Sequence, residues 1–377
     1  LTAGPNQQKL KIERQIAFRA LLRATFVLPA PGRESEIMSG YVTRYLRALI
    51  TTAALIHSPK DSELIKLLEK AQFEIDERDQ TITDIFREDE FYYPGDDISH
   101  ELQNTFLYWS FQFETPNTHD VVPVFDNIED ALEAAKKTEA PKGITKYLKN
   151  FTQLDSNHAD MNPSSNLWTS PLMSILASDI ERNSETHQVL EEKLVELLRL
   201  EKTSFWLAWF KGFLNGSPID LKLQEEIARI PDSVWKLGAG HVARSIKEAH
   251  SRFELEQQIA KLKEENARLS ERSRFEIGAN GGPELEETKR VVQEVIWAPI
   301  EAIEAETQKD KPDTGVICKA LDKLKQGVGW LLTKSAENSL TFGMGWYFSD
   351  PAKAKAALQS IITASERWLQ ALINLVG

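Results

Sequence analysis

The sequence predicts an all-α fold, with a multi-helix bundle, a long coiled-coil-like helical hairpin and a C-terminal helical bundle. Three observations carry this. Apolar residues recur at helical period almost throughout the 377 residues. Almost no segment alternates with period two for long enough to make a strand. In TSFWLAWFKGFLNG (203–216), Trp206, Trp209 or Phe210, and Phe213 fall at i, i+3/i+4 and i+7. One helix face therefore carries a slab of rings, each burying about 150–250 Å² when packed.

The elements follow in order. Residues 7–27 read as a helix with Leu10, Ala17, Leu21 and Ala24 near one face, stopped by Pro29-Ala30-Pro31-Gly32. A second helix covers 35–57, with Met38, Tyr41, Val42, Tyr45, Leu49 and Ala53 on its apolar side. After the turn Ser58–Ser62, Asp61 or Ser62 caps a third helix over 62–87. The acidic stretch 88–97 is a loop, and 98–113 resumes as a helix with Phe106, Leu107, Trp109 and Phe111. Region 114–170 is irregular around a short helix at 128–137, and its polar end reads as a surface loop closing through Leu167-Trp168. Helices are then expected at 171–182, 186–201, 203–214, 219–229, 232–237 and 240–274. Gly-Ala-Asn-Gly-Gly-Pro (278–283) is the clearest break, and Pro283 suits the first position of a helix over 284–308. Pro299 should kink or split that helix. Helices at 315–334, 336–347 and 351–374 complete the chain. Three regions result: 1–250 with the tryptophan hub, 251–312 as hairpin or coiled coil, and 313–377 as C-terminal bundle.

Within SRFELEQQIAKLKEENARLSER (251–272), Leu255, Leu262 and Leu269 lie seven apart, with Ile259 and Asn266 between them. A leucine row with a polar a-position residue sets register in two-stranded coils. The row suits either an antiparallel hairpin with 284–308 or an intermolecular coil, so these five residues are candidates for an interaction surface. Trp206, Trp209, Phe213 and Trp235 are the expected structural hub.

Composition narrows the function. A formal net charge of -12 argues against general nucleic-acid binding, which needs clustered Lys and Arg. The exception is residues 1–50, where eight basic residues face three Glu; these should meet an acidic partner or the chain's own acidic segment at 74–97. One cysteine, Cys318, rules out an intramolecular disulfide and fits a reducing cytoplasm. The opening LTAGPNQQKLKIERQ lacks the apolar core of a signal peptide. Uncharged apolar-leaning runs reach about a dozen residues, where a span needs about 20. Peripheral membrane contact through 327–376 stays open, because Val328, Trp330, Leu331, Phe342, Trp346 and Phe348 precede a second apolar face at 354–372.

No catalytic motif survives. Gly238-Ala-Gly240-His lacks the spacing and the strand of a dinucleotide fingerprint, and 278–283 lacks the Lys-Ser/Thr of a P-loop. Asp155, Asn157, Asp160 and Asn162 imitate a calcium loop, but Ala159 and Asp160 occupy its fifth and sixth positions, so a solvated turn is expected. His241 and His250 form no zinc motif. Cys318 reads as a buried thiol. The clusters at 74–79 and 88–97 could pair carboxylates, though their spacing equally suits solvated faces. No catalytic, metal or cofactor residue is assigned.

The run from Phe205 to Glu248 resembles a segment of a group of uncharacterised bacterial proteins. In those, a tryptophan-rich helix precedes a Leu-x-Gly-x-Pro turn, an Ile-Ala-x-Ile-Pro-Asp-x-x-Trp helix and a Gly-started helix. ALLRATFVLP (20–29) and NLWTSP (166–171) are similar too, so the resemblance spans about 15–255 and is most specific from Trp206 to Trp235. Phe210 stands where the group often has Tyr, and Gly238-Ala239 where Gly-Pro is usual. The group has no established activity, so the resemblance implies a bacterial, cytoplasmic helical protein without known catalytic residues. The expected function is that of a non-enzymatic scaffold, sensor or adaptor acting by self-association or protein binding. An amphitropic effector and a hydrolase using the acidic clusters are the alternatives.

Overall fold

A computed structural model describes residues 5–25, 35–71, 128, 130, 152–157, 167–172, 192, 194–198, 202–276, 290–336 and 351–376. The expected helix 98–113, the acidic clusters, the glycine loop 278–283 and the aromatic run 340–348 lie outside the described residues. The described part is all-α, with no strand. It comprises α1 (Pro5–Ala24), α2 (Ser35–His57), α3 (Phe205–Leu214), α4 (Leu221–Ala228), α5 (Asp232–Lys236), α6 (Ala239–Glu276), α7 (Ala298–Thr307), α8 (Thr314–Ala336) and α9 (Pro351–Val376), with a further helical stretch at 62–71. Two compact units are present, Leu1–Ala243 and Arg244–Gly377.

In the first unit, α1 and α2 are central helices. Arg14 through Thr25 are buried without interruption, as are Val42 through Ile56 apart from Arg44. Their polar faces are therefore inside as well as their apolar ones. The threonines are accommodated by bonding backward along their own helices: Thr25, Thr51 and Thr52 donate to the carbonyls of Leu21, Arg47 and Ala48 at 3.2, 2.8 and 2.9 Å. α1 packs on α2 and on the 3₁₀ turn Leu167–Thr169, and α2 packs on α4. The expected helix from 171 does not begin there, since Pro171 and Leu172 belong to the turn.

α3 ends at Asn215, and Gly216 follows at φ +70°, a conformation glycine adopts freely. A Cβ on Gly216 would also lie 2.7 Å from the Thr169 carbonyl oxygen and 2.8 Å from the Pro171 nitrogen. The 167–172 turn thus sits on the end of α3, and the Leu172 amide donates to the Phe213 carbonyl at 2.9 Å. Asp220 caps α4 through the Lys222 amide at 2.8 Å.

In the second unit, α6, α7, α8 and α9 share one apolar cluster, with Leu255 and Ile259 from α6, Ile300 and Ile303 from α7, Leu321 and Leu324 from α8, and Leu358 and Trp368 from α9. α9 contributes Ala354, Leu358, Ile361, Ser365, Trp368 and Leu372 at spacings alternating four and three, all buried. Pro299 does interrupt the regular α-helix expected over 284–308. A π-helical turn at Gln293–Trp297 precedes it, with the Ala298 amide donating to the Gln293 carbonyl five residues back. Proline has no N–H for the carbonyl four residues earlier and its ring collides with it; that carbonyl belongs to Val295. The wider turn displaces it toward α8, where a Cβ on Gly327 would lie 2.4 Å from the Val295 oxygen. Among the described residues, no helix is long and apolar enough to cross a membrane.

Candidate functional site

Two places concentrate polar chemistry, one in each unit. In the first unit, Arg19 and Arg23 stand one helical turn apart on α1, each 1% exposed. Arg19 donates to Asp155 Oδ2 at 2.9 Å and to the carbonyls of Leu167, Ser170 and Pro171 at 2.9, 2.7 and 2.8 Å. Arg23 donates to Asp155 Oδ2 at 2.5 Å, to the Leu172 carbonyl from Nε and Nη2 at 3.0 and 2.6 Å, and weakly to Thr152. Asp155 is fully buried on the helical stretch 152–157, which corrects the solvated position expected of it, while Asn157 is exposed and Asp160 and Asn162 lie outside the described residues. Two guanidinium forks need several acceptors, and the turn's outward carbonyls supply what one carboxylate cannot. Burial pushes the Arg23 pKa down to about 10, against the opposing pull of Asp155.

The aromatic hub abuts this clamp. Phe18 stacks on Trp168 at 5.5 Å and meets Trp209 and Phe213 edge-on at 6.4 and 5.7 Å. Trp206 and Trp209 cross at 88°, and Trp206 lies 6.4 Å from Trp235. Trp206, Trp209, Phe213 and Trp235 are all buried. Trp209 donates to Gln224 Oε1 at 2.9 Å, and Gln224 in turn donates to the Ile219 carbonyl at 2.6 Å. Arg47 is fully buried, pairs with Asp232 and lies 5.5 Å over the Trp235 ring. His57 sits edge-on to Trp168 at 4.4 Å, and burial, with Lys11 nearby, holds its pKa down at about 4. The clamp's arginine donors are directed at main chain and carboxylate, so its chemistry is that of a fastener for the 167–172 turn.

The basic excess of residues 1–50 is thus partly taken up inside the unit, where sequence reasoning expected an acidic partner or segment. Long-range pairs such as Arg19–Asp155, 136 residues apart, leave no local signal.

The second unit carries an open groove of about 500 Å³ between α6 and α9. The helices run antiparallel. They are tied at one end, where Trp368 donates to Glu248 Oε1 at 2.7 Å and Arg367 lies 3.8 Å from Glu254. The groove is lined by the buried Phe253 and Ala364, by Ala356, Gln257, Gln258, Gln359, Ser360 and Thr363, and by Glu254 and Arg367. On α9 this is a second seam, Ala356, Ser360, Thr363 and Arg367, spaced four, three and four like the apolar one beside it. Its small residues keep the groove open.

The leucine row lies on α6 too. Leu255, Ile259 and Leu262 are 0%, 1% and 2% exposed within the single chain, Asn266 is half-buried, and the side chain of Leu269 lies outside the described residues. Across from the row, Lys263 pairs with Glu304, Gln308 donates to Glu256 at 3.0 Å, and Arg252 reaches the Thr307 carbonyl at 3.5 Å. Cys318 is exposed, not buried: the buried stripe of α8 runs through Ile317, Leu321 and Leu324, and Cys318 is rotated about 100° from Ile317.

The chain matches no family model, no curated protein and no solved structure. Among the described residues, no three His, Cys, Asp or Glu side chains cluster closely enough to hold a metal ion. The groove residues escaped sequence reasoning because glutamines and small polar residues on a helix read as solvated. The signal that marks them is a second seam at heptad spacing beside an apolar one.

Proposed function

We propose that the protein is a non-enzymatic helical interaction protein, a scaffold or adaptor of the bacterial cytoplasm, which binds a protein partner through its second unit. The observation that carries this reading is the groove between α6 and α9, where polar side chains converge on open space beside a well-packed core. Self-association through Leu255, Ile259 and Leu262 would require these residues to leave the apolar cluster they occupy in one chain, so the groove has the stronger support.

The test places the photo-crosslinker p-benzoylphenylalanine at Gln257, with a control at Lys319, which is exposed on α8. A discrete protein adduct from position 257, absent from 319 and lost when Gln359→Arg fills the groove, supports the reading. Equal adducts from both positions, or none from 257, count against it.

A further inference from the structure

We draw no further inference here: the strongest candidate, the N-terminus of α6 at Ala239 and Gly240, which Lys202 approaches from a backbone at φ +51°, is a helix N-terminus beside one exposed lysine, and nothing else in the structure points to a ligand there.

Discussion

Two glycines on α8, two residues apart, should respond in opposite directions to the same substitution. A Cβ on Gly329 meets nothing within 4 Å. Helix propensity alone then makes Gly329→Ala stabilising by up to about 1 kcal/mol. A Cβ on Gly327 would lie 2.4 Å from the Val295 oxygen, 3.1 Å from its carbonyl carbon and 3.2 Å from its Cγ2. The first two are main-chain atoms of the π-helical turn, fixed by Pro299 on one side and by the burial of Ile296 on the other. Overpacking of that kind costs about 1–3 kcal/mol, which outweighs the propensity gain. Gly327→Ala should therefore lower stability by about 1–2 kcal/mol, and the melting midpoint of the second unit by roughly 3–10 °C. Denaturant melts of both variants give the comparison. In a Pro299→Ala background the cost of Gly327→Ala should shrink by at least about 0.5 kcal/mol, because the Val295 carbonyl regains an amide partner and can withdraw. Gly327→Ala stabilising like Gly329→Ala, or an identical cost in both backgrounds, would refute the coupling between proline, π turn and glycine.

Trp209→Ala, which removes a fully buried ring and strands Gln224 Oε1, should cost about 3–5 kcal/mol in urea unfolding, and an unchanged midpoint would contradict its place in the core. Asp155→Asn leaves two buried arginines without their shared anion and should cost about 3–5 kcal/mol by the same measurement. Glu306 is buried and held below its ordinary value of 4.5 by the Asp313 amide and Lys309, so its contribution is complete above that value and is lost as pH falls through its lowered folded value. The stability gap between the wild-type protein and Glu306→Gln should accordingly narrow on acidification from about pH 5 to about pH 3, and a constant gap contradicts this. Hydrogen exchange should be slow through Ala354–Leu372, whose apolar seam is filled; fast exchange there in an otherwise protected second unit would instead favour a releasable, membrane-docking segment.

Fold class was legible because the helical period is a local property. α2 begins and ends where the pattern places it, at Ser35 and His57, and α9 extends the expected 351–374 by two residues. The aromatic slab announced its own burial, since Phe205, Trp206, Trp209, Phe210 and Phe213 are too large to leave wet. What escaped depends on distant partners. In the sequence Arg19 and Arg23 only add to the basic excess that points to an acidic partner or to segment 74–97, because the carbonyls that receive them lie about 150 residues away. Pro299 was rightly marked as a disruption, but whether a helix breaks or widens depends on what packs beside it, and Gly327 gives no warning on its own. Cys318 was misplaced by one position around a helix, which is enough to exchange core for surface. The groove was invisible for a related reason: Gln257 and Gln359 acquire meaning only once α6 and α9 lie side by side.

Both units solve one problem with different means. Folding leaves main-chain carbonyls without regular partners wherever the chain turns or a proline interrupts it, and buried carbonyls left that way are costly. The first unit brings guanidinium forks to a turn, so that Arg19 and Arg23 fasten the carbonyls of Leu167, Ser170, Pro171 and Leu172. The second widens a helix by one residue per turn and opens α8 at a glycine to receive the result. At the groove the problem is different, since Gln257, Gln258, Gln359 and Ser360 are exposed and need no partner within the chain. What the groove offers is the convergence of polar side chains from α6 and α9 on one open space, which is why the proposed interaction is tested from Gln257.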